Sequence, residues 1–179
     1  MSQPNILLVI ADDHRYDALG FLGSAVKTPQ LDALASEGFT FRRHHCMGSL
    51  CPAVCVPSRA IIYSGKELLA ATATCDPSDP KLQGTIHPQH RLLPQHFREN
   101  GYQTHFVGKW HNDKASLVKG FEGGARIFLG GMNDQYSVPM RPYDPTGEFP
   151  EEDCAPASPL GAAPCSANPR AHPRRAQGD

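Results

Sequence analysis

Hydrophobic positions along the chain change their period several times, and each change predicts an element. Residues 6–11 form a continuous apolar run, preceded by Pro4 and Asn5 and followed by Asp12 and Asp13. Such a run suits a strand buried on both faces of a parallel sheet. In open α/β sheets ligands sit beyond the carboxyl ends of the strands, which is where the two acids fall. Thr28 and Pro29 then read as an N-cap and a first helical position, with Leu31, Leu34 and Ala35 as an apolar stripe and Gly38 as the stop. Residues 39–43 suggest a short second strand. Residues 58–64 read as the start of a helix, with Cys55 just before it. Most of 67–90 is loop, being rich in Pro, Asp, Gly and Gln without periodicity. Residues 92–100 are helical, with Leu92, Leu93, His96 and Phe97 in the pattern and Gly101 as the stop. Residues 102–107 alternate and are rich in strand formers, predicting a third strand with Lys109 and His111 at its carboxyl end. The stretch 120–150 reads as a long loop, with a short strand at 126–129. Strands alternating with helices predict an α/β protein, and two strand ends plus one helix start deliver the chemically interesting side chains.

After residue 150 the character changes. Residues 151–179 are dominated by Ala and Pro, with Arg near the end, no apolar periodicity and Leu160 as the single large aliphatic. This composition predicts a disordered tail.

Composition adds mostly exclusions. The chain has 179 residues, 40% of them hydrophobic and 20% charged, with a net charge of −1. That is ordinary for a globular protein and argues against a nucleic-acid-binding surface or a polybasic membrane patch. The longest apolar run is far too short to span a bilayer, and it lacks the flanks of a signal peptide. The expected location is therefore cytoplasmic, with the periplasm as the alternative. Of six cysteines, Cys46, Cys51 and Cys55 cluster while Cys75, Cys154 and Cys165 are scattered, which reads as a mostly reduced protein rather than a disulfide framework.

Several residues carry candidate chemistry. At a helix start, Cys55 is either a thiolate of lowered pKa or a buried, inert thiol. Asp12 and Asp13 offer two hard oxygen ligands suited to Ca²⁺ or Mg²⁺, or else a solvated turn or capping pair. Arg59 lies one helical turn beyond Cys55 and is otherwise a surface arginine. Lys109 and His111 alternate past a strand end and so share a side. His14, beside the acids, is either a supporting group or a solvent-exposed one. His44, His45, Cys46 and Cys51 could join Cys55 in a zinc or redox cluster. Their spacing matches no common zinc module, and consecutive histidines do not easily share one ion.

Three blocks in order decide between these readings: Pro4 to Asp13, Cys55-Val56-Pro57-Ser58-Arg59, and Gly108-Lys109-Trp110-His111. Together they resemble the type I sulfatases, members of the alkaline phosphatase superfamily, over roughly the first 150 residues. After Arg59 the family usually shows Leu-Thr-Gly-Arg where this chain has Tyr63-Ser64-Gly65-Lys66, keeping the glycine and a positive charge in register. The resemblance implies an incomplete sulfatase-like mixed sheet flanked by helices, forming the N-terminal part of a catalytic domain. It implies that a maturation enzyme oxidises Cys55 to formylglycine. One hydroxyl of the aldehyde hydrate attacks sulfur, and the other, once deprotonated, expels sulfate. It implies that Asp12, Asp13 and the modified Cys55 bind Ca²⁺ or Mg²⁺, that Arg59 supports the hydrate, that Lys109 binds sulfate oxygens and that His111 contacts the hydrate hydroxyl. The substrate is then a small sulfate ester or a sulfated glycan. A phosphonate or phosphate ester hydrolase on the same scaffold is the alternative, and a non-catalytic metal-binding or interaction fragment is another.

The resemblance also implies something missing. Sulfatases complete the metal site with an Asp and an Asn from the second half of the domain, which supplies a further His and Lys as well. Nothing after residue 150 matches that block. The tail reads as an out-of-frame or truncated end, and the chain alone is expected to be a poorly stable, largely inactive half-site.

Overall fold

The computed structural model describes residues 3–45, 55–73, 85–131, 133 and 138–150, together with the backbone of 155–156. They fall into two compact units, Met1–Cys46 and Met47–Asp179. The result is a mixed α/β protein with a small parallel sheet.

In the first unit a single 3-10 turn, Gly20–Leu22, precedes helix α1, Pro29–Glu37. Thr28 is the residue before α1, as its sequence predicts, but its hydroxyl caps no helical N–H. It accepts instead from the Gly20 N–H at 2.8 Å and donates to Asp32 Oδ1 at 2.7 Å. Asp32 Oδ1 also accepts from the Phe21 N–H at 3.0 Å, so one carboxylate ties the 3-10 turn to the first turn of α1. A Cβ at Gly20 would overlap Asp32 Oδ2, so a side chain there would displace this carboxylate.

Two predicted strands do not form in this unit. Residues 6–11 run without ladder partners, and Leu7 and Val9 are 87% and 76% exposed. Residues 39–43 likewise form no strand, and Phe39 and Phe41 lie in the open. The physical reason is the same for both. An apolar run becomes a buried strand only when other strands satisfy its backbone on each side. Among the described residues this unit contains no strand. The stripe on α1 also stays uncovered, with Leu34 67% exposed.

The second unit holds the core. Helix α2, Cys55–Ser64, begins at Cys55 itself, three residues earlier than its sequence suggests. Val56, Arg59, Ala60 and Tyr63 lie on its buried side, the spacing of one helical face. Gly65, at φ +65, ends it, with its N–H on the Ile61 carbonyl at 2.8 Å. A short helix α3, Leu68–Ala71, follows within a stretch expected to be mostly loop. Helix α4, Leu93–Glu99, lies inside the predicted 92–100, with the Gln95 side chain reaching back to the Leu92 N–H at 2.8 Å.

Strand β1, His105–Lys109, sits two to three residues later than the predicted 102–107. It pairs in parallel with β2, Gly123–Phe128, and the register slips between Val107 and Gly108. The connection is helix α5, Lys114–Gly120, so β1, α5 and β2 form a βαβ unit. Sequence reasoning does not foresee α5. Its start is set by Asp113, whose Oδ1 accepts from the Ser116 N–H at 2.7 Å as an N-cap. Asp113 Oδ2 also accepts from the Ile86 N–H at 2.8 Å, anchoring the segment before α4. Two residues, Pro139–Met140 (β3), pair antiparallel with Ala155–Pro156 (β4). The remainder of the predicted disordered tail lies outside the described residues.

Asp113→Ala removes both acceptors. The cap is worth about 1 kcal/mol, and the Ile86 N–H loses its partner at about another 1 kcal/mol. Urea unfolding followed by Trp110 fluorescence is expected to show the sum, and Asp113→Asn, which keeps a side-chain carbonyl, less than half of it.

The core of this unit is aromatic. Trp110 is fully buried, with ring centroids 4.9 Å from Tyr63, 5.3 Å from Phe106 and 6.0 Å from Phe121. Ile127, Leu117 and Leu92 belong to the same buried set, each at most 1% exposed.

Candidate active site

The sequence places Cys55, Arg59, Lys109 and His111 in separate segments, and the second unit brings their elements together. Cys55 is the first residue of α2 and is half-buried. Its Sγ lies 3.0 Å from Nδ1 of His111. This contact serves with Nδ1–H donating to sulfur or with S–H donating to nitrogen, as the tautomer dictates. Arg59, one turn further along α2, is 5% exposed and donates from its guanidinium to the Lys109 carbonyl. The helix that carries Cys55 is thus tied to the strand end that carries Lys109 and His111.

The turn after β1 is built by Trp110. Its backbone N–H continues the ladder onto the Phe128 carbonyl at 2.8 Å, and its Nε1–H donates to the Asp113 carbonyl at 2.7 Å. His111 then takes left-handed backbone at φ +56. Lys109 and His111 are therefore not related by strand alternation, as the pattern suggests. The strand ends at Lys109, and the left-handed residue carries the imidazole to Cys55. Asn112, next in the chain, is 8% exposed, and among the described residues its Oδ1 has no hydrogen-bond partner. On α2, burial pushes the Tyr63 phenol above its ordinary pKa, and the Arg59 charge pulls it back in part.

Asp12 and Asp13 belong to the first unit and are exposed, with Asp13 in left-handed backbone at φ +53. They follow a segment that forms no strand. As donors they are hard oxygens suited to Ca²⁺ or Mg²⁺. Among the described residues, however, no group of three or more His, Cys, Asp or Glu side chains is arranged to hold a metal ion. The donor type fits a divalent cation and the donor number does not complete a site. His14 is exposed with Nε2 3.1 Å from the Ala18 carbonyl. Of the rival zinc cluster, His44 and His45 are exposed, and Cys46 and Cys51 lie outside the described residues.

Two contributors escape sequence reasoning. Asp113 sets α5 and receives the Trp110 indole, and the Asp113-to-Ser116 spacing is a signal that could have revealed it. Gly131 lies against the His111 ring, and no local signal marks it.

The α/β unit brings a cysteine at a helix start to a histidine just beyond a parallel strand, a pairing of side chains open to acid–base or nucleophile chemistry. Comparison with known proteins narrows it. Residues 4–155 match the sulfatase family. The chain is 34% identical over 110 residues to arylsulfatase J of Mus musculus, covering 62% of this chain and 18% of that protein. It is 30% identical over 149 residues to N-acetylgalactosamine-6-sulfatase of Homo sapiens, covering 79% and 27% respectively. It is 31% identical over 144 residues to N-acetylglucosamine-6-O-sulfatase of Bacteroides thetaiotaomicron, covering 80% and 23%. This chain belongs to the sulfatase family. It spans about a quarter or less of the length of these relatives. No described helix is long and apolar enough to cross a membrane.

Proposed function

We propose that this chain carries the nucleophile side of a sulfate-ester hydrolase, with Cys55 as the residue converted to formylglycine. The observation that carries this reading is the 3.0 Å approach of His111 Nδ1 to Cys55 Sγ, within a motif of the family to which the chain belongs. The aldehyde hydrate made from Cys55 by a separate maturation enzyme supplies one hydroxyl to attack sulfur and a second to release sulfate.

The chain's own residues prepare that chemistry. His111, in contact with side chain 55, takes the proton of the hydroxyl that releases sulfate. Arg59 places a buried positive charge one turn from residue 55, supporting its oxygen as charge develops. Lys109, at the end of β1, binds the sulfuryl oxygens. By resemblance to the family, Asp12 and Asp13 would serve as oxygen donors to a divalent ion, and Ca²⁺ or Mg²⁺ held there would supply Lewis-acid chemistry. Ca²⁺ takes about six to eight oxygens. The two carboxylates are too few for that, so the isolated chain is a weak catalyst. Two relatives are named for sulfated amino sugars. A sulfated glycan or a small sulfate ester is the substrate class we assign to this site.

The test is aldehyde formation. After coexpression with a formylglycine-generating enzyme, the peptide containing residue 55 should react with a hydrazide probe, and Cys55→Ala should not. Absence of label from the wild-type peptide would sink the reading in favour of a non-catalytic fragment. Matched aryl sulfate and aryl phosphate esters then decide the chemistry. Faster phosphate release would move the chain to the phosphate or phosphonate branch, and robust sulfate release would overturn the description of a weak catalyst.

A further inference from the structure

His111 reaches Cys55 through a left-handed backbone turn, and its imidazole comes to rest on the Cα face of Gly131. A Cβ at position 131 would overlap both Cε1 and Nε2 of that ring and lie 3.0 Å from Nδ1. Those three atoms include the nitrogen that faces the Cys55 sulfur. No backbone atom is among them, so the ring is what a side chain at 131 would meet. Any side chain there therefore forces one of two responses: the imidazole leaves its place, or the loop at 131 moves away. Gly131 itself has no left-handed backbone angle that would require glycine. The need for glycine at 131 is the space that the His111 ring occupies.

The turn that carries His111 is itself fixed. Trp110 is locked by its own N–H on the Phe128 carbonyl and by its indole on the Asp113 carbonyl. Phe128 closes β2, three residues before Gly131, so the same strand end that holds Trp110 also leads into the loop that admits the His111 ring. The turn before His111 is thus held in place, and the bare Cα of Gly131 leaves room for its ring where it meets Cys55.

We infer that Gly131 is a positioning residue, keeping free the volume that lets the His111 imidazole lie on side chain 55. It acts through His111. The inference deepens the proposed function, since it names what aims the proton partner of the nucleophile, and it is tested on the unmodified thiol so that the two can fail separately.

The experiment is a double-mutant cycle on the full chain, read as the rate at which iodoacetamide alkylates Cys55, resolved from the other cysteines by peptide mapping. Contacting residues couple by amounts that correspond to about tenfold in rate, so Gly131→Ala and His111→Ala should each change the Cys55 rate by about that factor. In the His111→Ala background, Gly131→Ala should then have no further effect. An unchanged rate in Gly131→Ala, or effects that multiply in the double variant, would overturn the inference. Trp110 emission, from the one tryptophan in the chain, reports whether the turn survives. If Gly131→Ala alone shifts that emission, the shift must disappear when His111 is also alanine, because the obstructed ring is gone. A shift that persists counts against the inference. Hydrazide labelling of residue 55 does not enter the cycle, so a chain that is never converted to formylglycine still tests it.

Discussion

Trp110→Ala is expected to destabilise the Met47–Asp179 unit by about 3–5 kcal/mol, the cost typical of deleting a large buried aromatic side chain. The indole is fully buried, and three aromatic rings within 6.0 Å of it lose their common neighbour. The Asp113 carbonyl loses the Nε1–H as well. A domain holds only about 5–15 kcal/mol in total, so this one change removes a large share of it. With about 4–8 °C of Tm per kcal/mol for a small domain, thermal unfolding should move down by roughly 12 °C or more. Trp110→Phe separates the two parts. It keeps an aromatic body between Tyr63 and Phe106 and drops the hydrogen bond, and about 1–2 kcal/mol is the expected loss. Because His111 follows directly on Trp110, the alanine variant should also loosen the imidazole from Cys55. A Trp110→Ala variant that unfolds at the wild-type temperature by circular dichroism would contradict the aromatic core.

What could be read from the sequence follows from how local each determinant is. Most of α2 was legible because its residues are consecutive, with Cys55, Pro57 and Arg59 spaced along ten residues, although the helix begins three residues before the expected start. Thr28, Pro29 and Gly38 likewise bracket α1. The apolar run at 6–11 is a different kind of signal. It records a demand for burial, and only partner strands can meet that demand; Leu7 and Val9 remain exposed because none is paired with them. Helix α5 was missed because seven residues are too few for a clear stripe, and its start depends on one aspartate that also serves Ile86, far away in sequence. The contact between His111 and Gly131 was illegible for the same reason. It is fixed by a left-handed turn at one end and the exit of β2 at the other, and neither follows from residue type.

Arg59 is where local pattern and long-range contact meet, and its replacement carries the second large effect. Its charge is 5% exposed and is accepted by the Lys109 carbonyl, fifty residues away in sequence. Arg59→Met keeps much of the length and apolar stem and removes the donor. A hydrogen bond to a charged group is worth about 1.5–3 kcal/mol. Urea unfolding should register a loss of that size. Arg59→Lys should recover only part of it, because a single ammonium does not reproduce the planar fork of the guanidinium. Tyr63 supplies a readout that simple loosening of α2 does not give. Burial raises its pKa and the Arg59 charge lowers it, so removing that charge must move the Tyr63 titration further up. A phenol with a raised folded pKa contributes stability that is complete below its unfolded value near 10 and is lost as pH rises through the folded value. Arg59→Met should therefore unfold more easily at neutral pH, and its further loss of stability should start at the same unfolded value near 10 but run on to higher pH and grow larger than in the wild type. Stability measured between pH 7 and 11, with Tyr63→Phe to isolate the phenol, tests the sign. A tyrosine titration that moves down in Arg59→Met would show that the guanidinium does not act on α2 as a buried charge, and would remove the electrostatic support proposed for residue 55.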